Sequence, residues 1–440
     1  MAVTPPADPT NAPVAAQDAR QMRRIGLSVL IGTTIEWYDF LLYGAAAALI
    51  FGPLYFPSDS AVAGTLLAFS TFAVGFAARP VGGVVLGHFG DRIGRKRMLV
   101  LSLTLMGVAT FLIGLLPTYE TIGVAAPILL VALRILQGFG VGGEWGGAVL
   151  TAVEHARPGR QGFFGSLPQA GAPAGLLLST LAFLAVSQLP EDVFLGWGWR
   201  IPFLLSAMLV GVGLYVRASI AETPAFREVA STDGPERLPI LTALRSYPRQ
   251  IVLATLAIVS SGAYFYVVNT YALAYATASG NFTRPQILGA VLASAALCFV
   301  AIPWCGHLSE RFGRRTMISA GLVAMALWIF PLLAAIDSGS LLLVVLAYLV
   351  SALCYALSYG SFATFIAELF DARVRYSAAS ISFQLGVLLG GALAPIVATA
   401  LVARTGGAWS VAVYVAVLSA VSLGAVLLVR RSDVVALIRR

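Results

Sequence analysis

Gly87-His88-Phe89-Gly90-Asp91-Arg92-Ile93-Gly94-Arg95-Lys96-Arg97 closes one long apolar run, and Gly306-His307-Leu308-Ser309-Glu310-Arg311-Phe312-Gly313-Arg314-Arg315 closes another 219 positions later. Both segments keep a glycine–histidine pair, one acid, and an arginine, glycine, arginine order around a single apolar residue. Moving outward, Glu154 matches Glu368 at an offset of 214, and Gln169 matches Gln384 at 215. Near-constant offsets over three features show that the chain holds two copies of one unit.

What the unit is made of follows from composition. The 440 residues are 59% hydrophobic and only 11% charged, whereas soluble domains carry about 25% charged residues. So few charges cannot cover the surface of soluble domains of this length. Twelve apolar runs can be drawn, each near the length of about 20 residues that a membrane-spanning helix needs. The fold class is therefore an all-α polytopic membrane protein of twelve transmembrane helices, in two pseudo-symmetric six-helix bundles. The reading divides the chain into a disordered cytoplasmic tail at 1–24, a first bundle at 25–220, a cytoplasmic central loop at 221–250, a second bundle at 251–430 and a short tail at 431–440.

Charge placement orients it. Arg200, Arg284 and Arg404 fall on one side and Arg79 and Arg134 inside spans, which leaves the other 23 of the 28 basic residues on the opposite side. By the positive-inside rule that side, with both termini, is cytoplasmic. The net charge of +8 is explained by the same rule, and no nucleic-acid partner is implied; the bilayer is the partner. Cys298, Cys305 and Cys354 are scattered through apolar runs without CxxC spacing, as small core residues rather than a disulfide framework or metal site. No nucleophile–base arrangement, metal-ligand cluster or phosphate-binding loop is present, which argues against an enzyme and against a self-sufficient ATP-driven pump. Two parallel repeats enclosing a midplane site are instead an architecture of secondary transporters.

At these residues the chain resembles the major facilitator superfamily. The first repeated loop looks like that superfamily's hallmark between helices two and three, and Leu133-Arg134-Ile135-Leu136-Gln137-Gly138-Phe139-Gly140 looks like its fourth-helix motif. More narrowly it is similar to bacterial metabolite:proton symporters. That likeness rests on Gly32-Thr33-Thr34-Ile35-Glu36-Trp37-Tyr38-Asp39-Phe40, Arg79-Pro80-Val81-Gly82-Gly83, Gly143-Glu144-Trp145-Gly146-Gly147 and Trp199-Arg200-Ile201-Pro202-Phe203. It extends over Glu222-Thr223-Pro224-Ala225-Phe226, Ala367-Glu368-Leu369-Phe370 and Arg373-Val374-Arg375-Tyr376-Ser377. The resemblance implies proton-coupled uptake, in the bacterial inner membrane, of a small organic acid such as a dicarboxylate, α-ketoglutarate or shikimate. Rocking of the two bundles would drive it, with the proton gradient as energy source, no cofactor, and a monomer as the working unit. Zwitterionic proline or betaine is the alternative cargo, and a drug exporter the more distant one.

Ionisable groups at membrane depth are costly and are candidates for function by default. Glu36 and Asp39 stand about 16 and 21 Å into the first helix at 1.5 Å per residue, and share a face with Tyr43. Burial favours the protonated form of a carboxylate, so either can carry the coupling proton, or form a structural ion pair with an intramembrane arginine. Arg79 offers a planar, permanently charged fork suited to a carboxylate, either of the cargo or of Glu36 or Asp39. Arg134, through the superfamily motif, and Glu144 complete the coupling candidates; close glycine packing is the rival reading for that helix. Cargo-lining candidates are Tyr38, Tyr43, Gln169, Tyr264, Asn269, Tyr271 and Gln384. The gate is assigned to Gly87, Asp91, Arg92, Gly94, Arg95, Glu154, Glu310, Arg311, Arg314 and Glu368. Glu154 is expected to pair with Arg92 or Arg95, and Glu368 with Arg311 or Arg314.

Overall fold

The apolar runs are helical almost throughout, because inside a bilayer each backbone group must be satisfied within its own segment. The computed structural model describes residues 12–57, 61–218, 239–278 and 280–435, and among these every regular element is helical. Twelve long helices are present: α1 Ala12–Ala46, α2 Ala61–Ile93, α3 Arg95–Leu115, α4 Ala125–His155, α5 Gln161–Val186, α6 Arg200–Ala218, α7 Pro248–Tyr266, α8 Arg284–Phe312, α9 Arg314–Asp337, α10 Leu341–Ala367, α11 Arg375–Val387 and α12 Trp409–Leu428. Ten of the spans meet a length-and-hydropathy test for crossing a membrane, and α6 with the bent segment before it makes eleven. The 33 residues of α2 supply the twelfth.

Within each bundle, α1 lies along α5 and α2 along α4, while α8 and α9 both pack on α10. The bundles meet through α2 against α11 and α5 against α8 and α10. These two seams are repeat mates of each other, since α2 corresponds to α8 and α5 to α11. At the seam, a methyl on Gly162 would run into the carbonyl oxygen of Gly306, so only glycine lets α5 and α8 approach this closely. Met208, Val300, Trp304, Leu327 and Leu342 are exposed on the outer surface.

The repeated loops turn identically. Gly94 has φ 112° and Gly313 φ 85°, each joining two helices with a backbone that side chains other than glycine resist. The repeat also extends to helix irregularities. A π-turn at Ala47–Phe51 follows α1, and one at Val267–Tyr271 follows α7, 220 positions on. A further π-turn, Leu388–Ala392, interrupts the span that begins with α11. Such turns widen the helix and recur at functional sites.

The ends differ from expectation. Helix α1 begins at Ala12, inside the segment read as a disordered tail, because Ala15, Ala16, Gln17, Ala19 and Arg20 are good helix formers; residues 1–11 lie outside those described. Residues 219–238, which include most of the central loop at 221–250, also lie outside them, and its later part forms a short helix, Pro239–Ser246, with Ala243 buried. At the far end Asp433 pairs with Arg249 at 2.6 Å, and the amide of Val435 donates to the Glu368 carbonyl at 2.6 Å.

Candidate functional site

The centre of the molecule is built by α1, α2 and α4 from one bundle and α7, α10 and α11 from the other. Arg79 is buried on α2, one residue before Pro80. Its Nε donates to Gln384 Oε1 on α11 at 2.9 Å, across the bundle interface. The guanidinium lies 5.8, 4.9 and 5.3 Å from the ring centres of Trp37, Phe40 and Phe76. Glu36, Tyr266 and Tyr359 are its electrostatic neighbours, and among the described residues its Nη1 finds no hydrogen-bond partner. A permanent cation with its Nη1 donors unspent therefore sits at the contact between bundles, in an aromatic box.

The repeated glutamines both reach across that contact. Gln384 donates to the Gly142 carbonyl on α4 at 3.1 Å. Gln169 on α5 accepts from Trp145 Nε1 at 2.6 Å and donates to the Tyr359 carbonyl on α10 at 3.5 Å. Trp145 in turn stacks on Phe383 of the opposite bundle, with ring centres 3.9 Å apart. Rings also meet between Trp37 and Phe265 at 6.0 Å, and between Phe76 and Tyr266 at 5.5 Å.

Other candidates point elsewhere. Asp39 is fully buried but faces into its own bundle: its carboxylate lies beside Thr110 of α3, and Gln137 donates to its main-chain carbonyl at 3.3 Å. Glu144 likewise turns toward α3 and accepts from Ser102 at 3.0 Å. Arg134 lies over the rings of Phe40 and Tyr43, at 4.3 and 4.1 Å, and donates to Gln137. Tyr38 is directed to the Pro202 carbonyl on α6 at 2.8 Å, and Tyr43 to Thr71 at 2.5 Å. These two tyrosines are thus packing and anchoring groups of the first bundle, since both hydroxyls are held by partners within it.

The lining candidates on α7 and the π-turn after it are also displaced. Tyr271 stacks on Tyr275, whose hydroxyl donates to Asp337 of α9 at 2.7 Å, inside the second bundle. Asn269 donates to the Phe265 carbonyl of its own helix at 2.9 Å. Tyr264 and Asn269 do border a small void of about 20 Å³ between α5 and α7, α8 and α10, which Ser294, Ser351 and Tyr355 also line. The residues of α7 that reach Trp37 and Phe76 are Phe265 and Tyr266. Tyr266, Phe40, Phe76 and Trp37 were missed as site residues, although Phe76 and Arg79 stand one helical turn apart, as do Trp37 and Phe40.

One face of the molecule, that of the two glycine turns, is closed by contacts between bundles. The Tyr376 hydroxyl of α11 donates to the Gly143 carbonyl of α4, and Thr364 Oγ1 to the Gln161 carbonyl at 3.1 Å. Glu310 accepts from the Gly162 amide at the start of α5. Glu154 pairs with Arg375, at 3.2 Å, with both side chains buried. α4 ends against the first turn of α11, while the Arg92 guanidinium is exposed, with His88 at 3.4 Å. Glu368 does meet Arg314, at 3.2 Å, and Glu310 shares that arginine at 3.6 Å. Arg311 lies over Phe312 instead. Gly87 packs on the backbone of Ser377; the side chains of Asp91 and Arg95 lie outside those described. Burial first, and then Glu310, raise the Glu368 carboxyl to about 7 against the pull of Arg314 and Arg375.

Two pseudo-symmetric six-helix bundles with buried charges at their contact define a multi-pass membrane carrier, and comparison with known proteins places it. Residues 26–233 match the family described as sugar (and other) transporter, and residues 281–437 that of the major facilitator superfamily. The chain is 40% identical over 414 residues to an inner membrane metabolite transport protein of Escherichia coli K12, covering 92% of this chain and 93% of that one. It is 41% identical over 397 residues to the shikimate transporter of the same strain, covering 89% and 91%. A glycine betaine/proline/ectoine/pipecolic acid transporter of Dickeya dadantii is 34% identical, covering 92% and 83%. The fold matches that of a proton:xylose symporter bound to 6-bromo-6-deoxy-D-glucose with a TM-score of 0.75, over 93% of this chain and 95% of that one, at 16% identity. The chain belongs to the major facilitator superfamily and is a membrane transporter of small molecules, not an enzyme.

Proposed function

We propose that the protein is a proton-coupled symporter that takes up a small organic acid across the bacterial cytoplasmic membrane. Both termini and the closed face lie on the cytoplasmic side, and the monomer is the working unit. The observation that carries this reading is Arg79: a buried fork at the bundle interface, held by Gln384 from the opposite side, with Nη1 open. A cargo carboxylate satisfies that donor. It also brings a second negative charge to the cation beside which Glu36 lies. Two carboxylates around one arginine favour protonation of one of them, so cargo binding and proton uptake at Glu36 are linked. Asp39 and Glu144 face α3 and act at most behind Glu36. The 41% identical shikimate transporter supports a carboxylate cargo.

A zwitterion is the second reading, because the rings of Trp37, Phe40 and Phe76 also suit a quaternary ammonium group and a betaine transporter is among the relatives. Uptake of shikimate, α-ketoglutarate, citrate and betaine into proteoliposomes, with an inward proton gradient and with or without protonophore, separates the two. Protonophore-sensitive uptake of a carboxylate, lost in Arg79→Ala, is expected. Glu36→Gln should exchange cargo without accumulating it. Betaine uptake indifferent to Arg79→Ala would overturn the assignment, as would proton-driven export of hydrophobic cations.

A further inference from the structure

A groove on the surface of the first bundle is independent of the transport site. It lies between the start of α1 and the α4–α5 turn, encloses about 320 Å³, and is lined at one end by Arg23, Arg157 and Arg160. All three arginines are exposed. The rest of the wall is apolar, with Leu27, Leu30 and Leu167 among its residues, and among the described side chains no acid lines it. From Arg23 to Leu30 is about 10 Å along α1 at 1.5 Å per residue. Over that distance the lining passes from three guanidiniums to hydrocarbon.

We propose that this groove binds one anionic phospholipid. The arginines take the phosphate diester, and the apolar wall takes the upper part of an acyl chain. A soluble anion would use the basic end alone and gain nothing from the apolar wall; a zwitterionic lipid would bring its own ammonium to three cations. Basic pockets at the ends of transmembrane helices suit acidic headgroups in this way. The site adjoins the closed face, since Gln161 and Gly162, which follow Arg160 directly, make the contacts of α5 to Thr364 and Glu310. The bound lipid thus steadies the end of α5 that the second bundle grips.

The test is native mass spectrometry of the full-length protein in detergent, titrated with phosphatidylglycerol, with phosphatidylethanolamine of the same acyl chains, and with glycerol 3-phosphate. One phosphatidylglycerol is expected to remain bound at concentrations where phosphatidylethanolamine does not. Its affinity should fall about fivefold for each arginine removed, and about a hundredfold in Arg23→Gln/Arg157→Gln/Arg160→Gln. Arg404→Gln, distant from the groove, should change nothing. Leu167→Trp, which fills the apolar wall and keeps all three charges, should also weaken the adduct, and melting curves in lipid-free detergent separate lost binding from lost folding. Equal retention of the two lipids, or of phosphatidylglycerol by wild type and by both variants, would overturn the proposal. Displacement of the lipid by equimolar glycerol 3-phosphate would reassign the groove to a soluble anion.

Discussion

The two bundles share a backbone plan but not a charge plan. Their glycine turns, their glutamines at the interface and their acids at the closed face recur at constant offsets, yet the intramembrane charges stand in the first bundle only. By the same offsets Arg79 corresponds to Cys298, Arg134 to Tyr348 and Glu144 to Ser358. The offset of 220 that relates the π-turns carries Glu36 to Leu256 and Asp39 to Val259. The mates occupy equivalent places: Glu144 packs on Ser102 of α3, and Ser358 on Gly321 of α9, 219 positions later. What both copies keep is the machinery of their contact. A charge at membrane depth is expensive, so charges kept by one copy alone set that copy apart, and the proposed function assigns the coupling to them.

The comparison breaks most sharply at the mates. Arg79→Lys keeps the charge but loses the fork; uptake in proteoliposomes should fall about thirty- to a thousandfold, the range for spoiling a buried charged hydrogen bond. Cys298→Ala should leave uptake within about twofold, as a small core residue. Equal losses would show that both copies take part in the chemistry.

The next test concerns the acids that both copies keep. Glu154→Gln leaves Arg375 buried without its carboxylate, a loss of about 3–5 kcal/mol to the closed arrangement. Cysteines placed on the α4–α11 contact should then react with a membrane-impermeant thiol reagent from the closed face. Glu310→Gln, at a partly exposed pair, should produce a smaller rise.

A third prediction uses pH. Glu368 titrates near 7 in the closed protein, above the ordinary carboxylate value, so the folded, closed form binds its proton more tightly than a hydrated form does. Stability from this group is therefore present at low pH and is lost as pH rises from the ordinary carboxylate range through about 7. The melting temperature should decline between about pH 5 and 8, and Glu368→Gln should flatten that decline. The smallest effect is expected at the stack between bundles: Phe383→Leu should cost about 1 kcal/mol, read as a modest drop in melting temperature with uptake retained.

Much of this was legible from residue order. Glu368 with Arg314, the paired glutamines and the glycine turns all follow from the repeat, because a repeated unit places its members in equivalent surroundings. The partner of Glu154 was not legible: Arg375 stands 221 residues away in the other bundle, and no local spacing links them. Nor was the inward face of α7. Tyr264 and Tyr271 are the lining candidates by sequence, but Phe265 and Tyr266 are the residues that reach the rings of the first bundle. One position along a helix is a rotation of about 100°. A helix apolar all round carries no stripe to say which side meets its partner.

The amino-acid order by itself determined the class: a chain this apolar must span a bilayer as helices, basic residues crowd one side, and two copies of a six-helix unit face each other. These are properties of composition, run length and repeat, which are local or additive along the chain. Only the tertiary structure decided which buried charges meet. It put Arg79 against Gln384 and the aromatic rings, turned Asp39 and Glu144 toward α3, and closed one face with Glu154 and Arg375. Those outcomes depend on how twelve nearly featureless apolar cylinders rotate and pack, and that is set by close glycine contacts and buried polar pairs summed over the whole assembly.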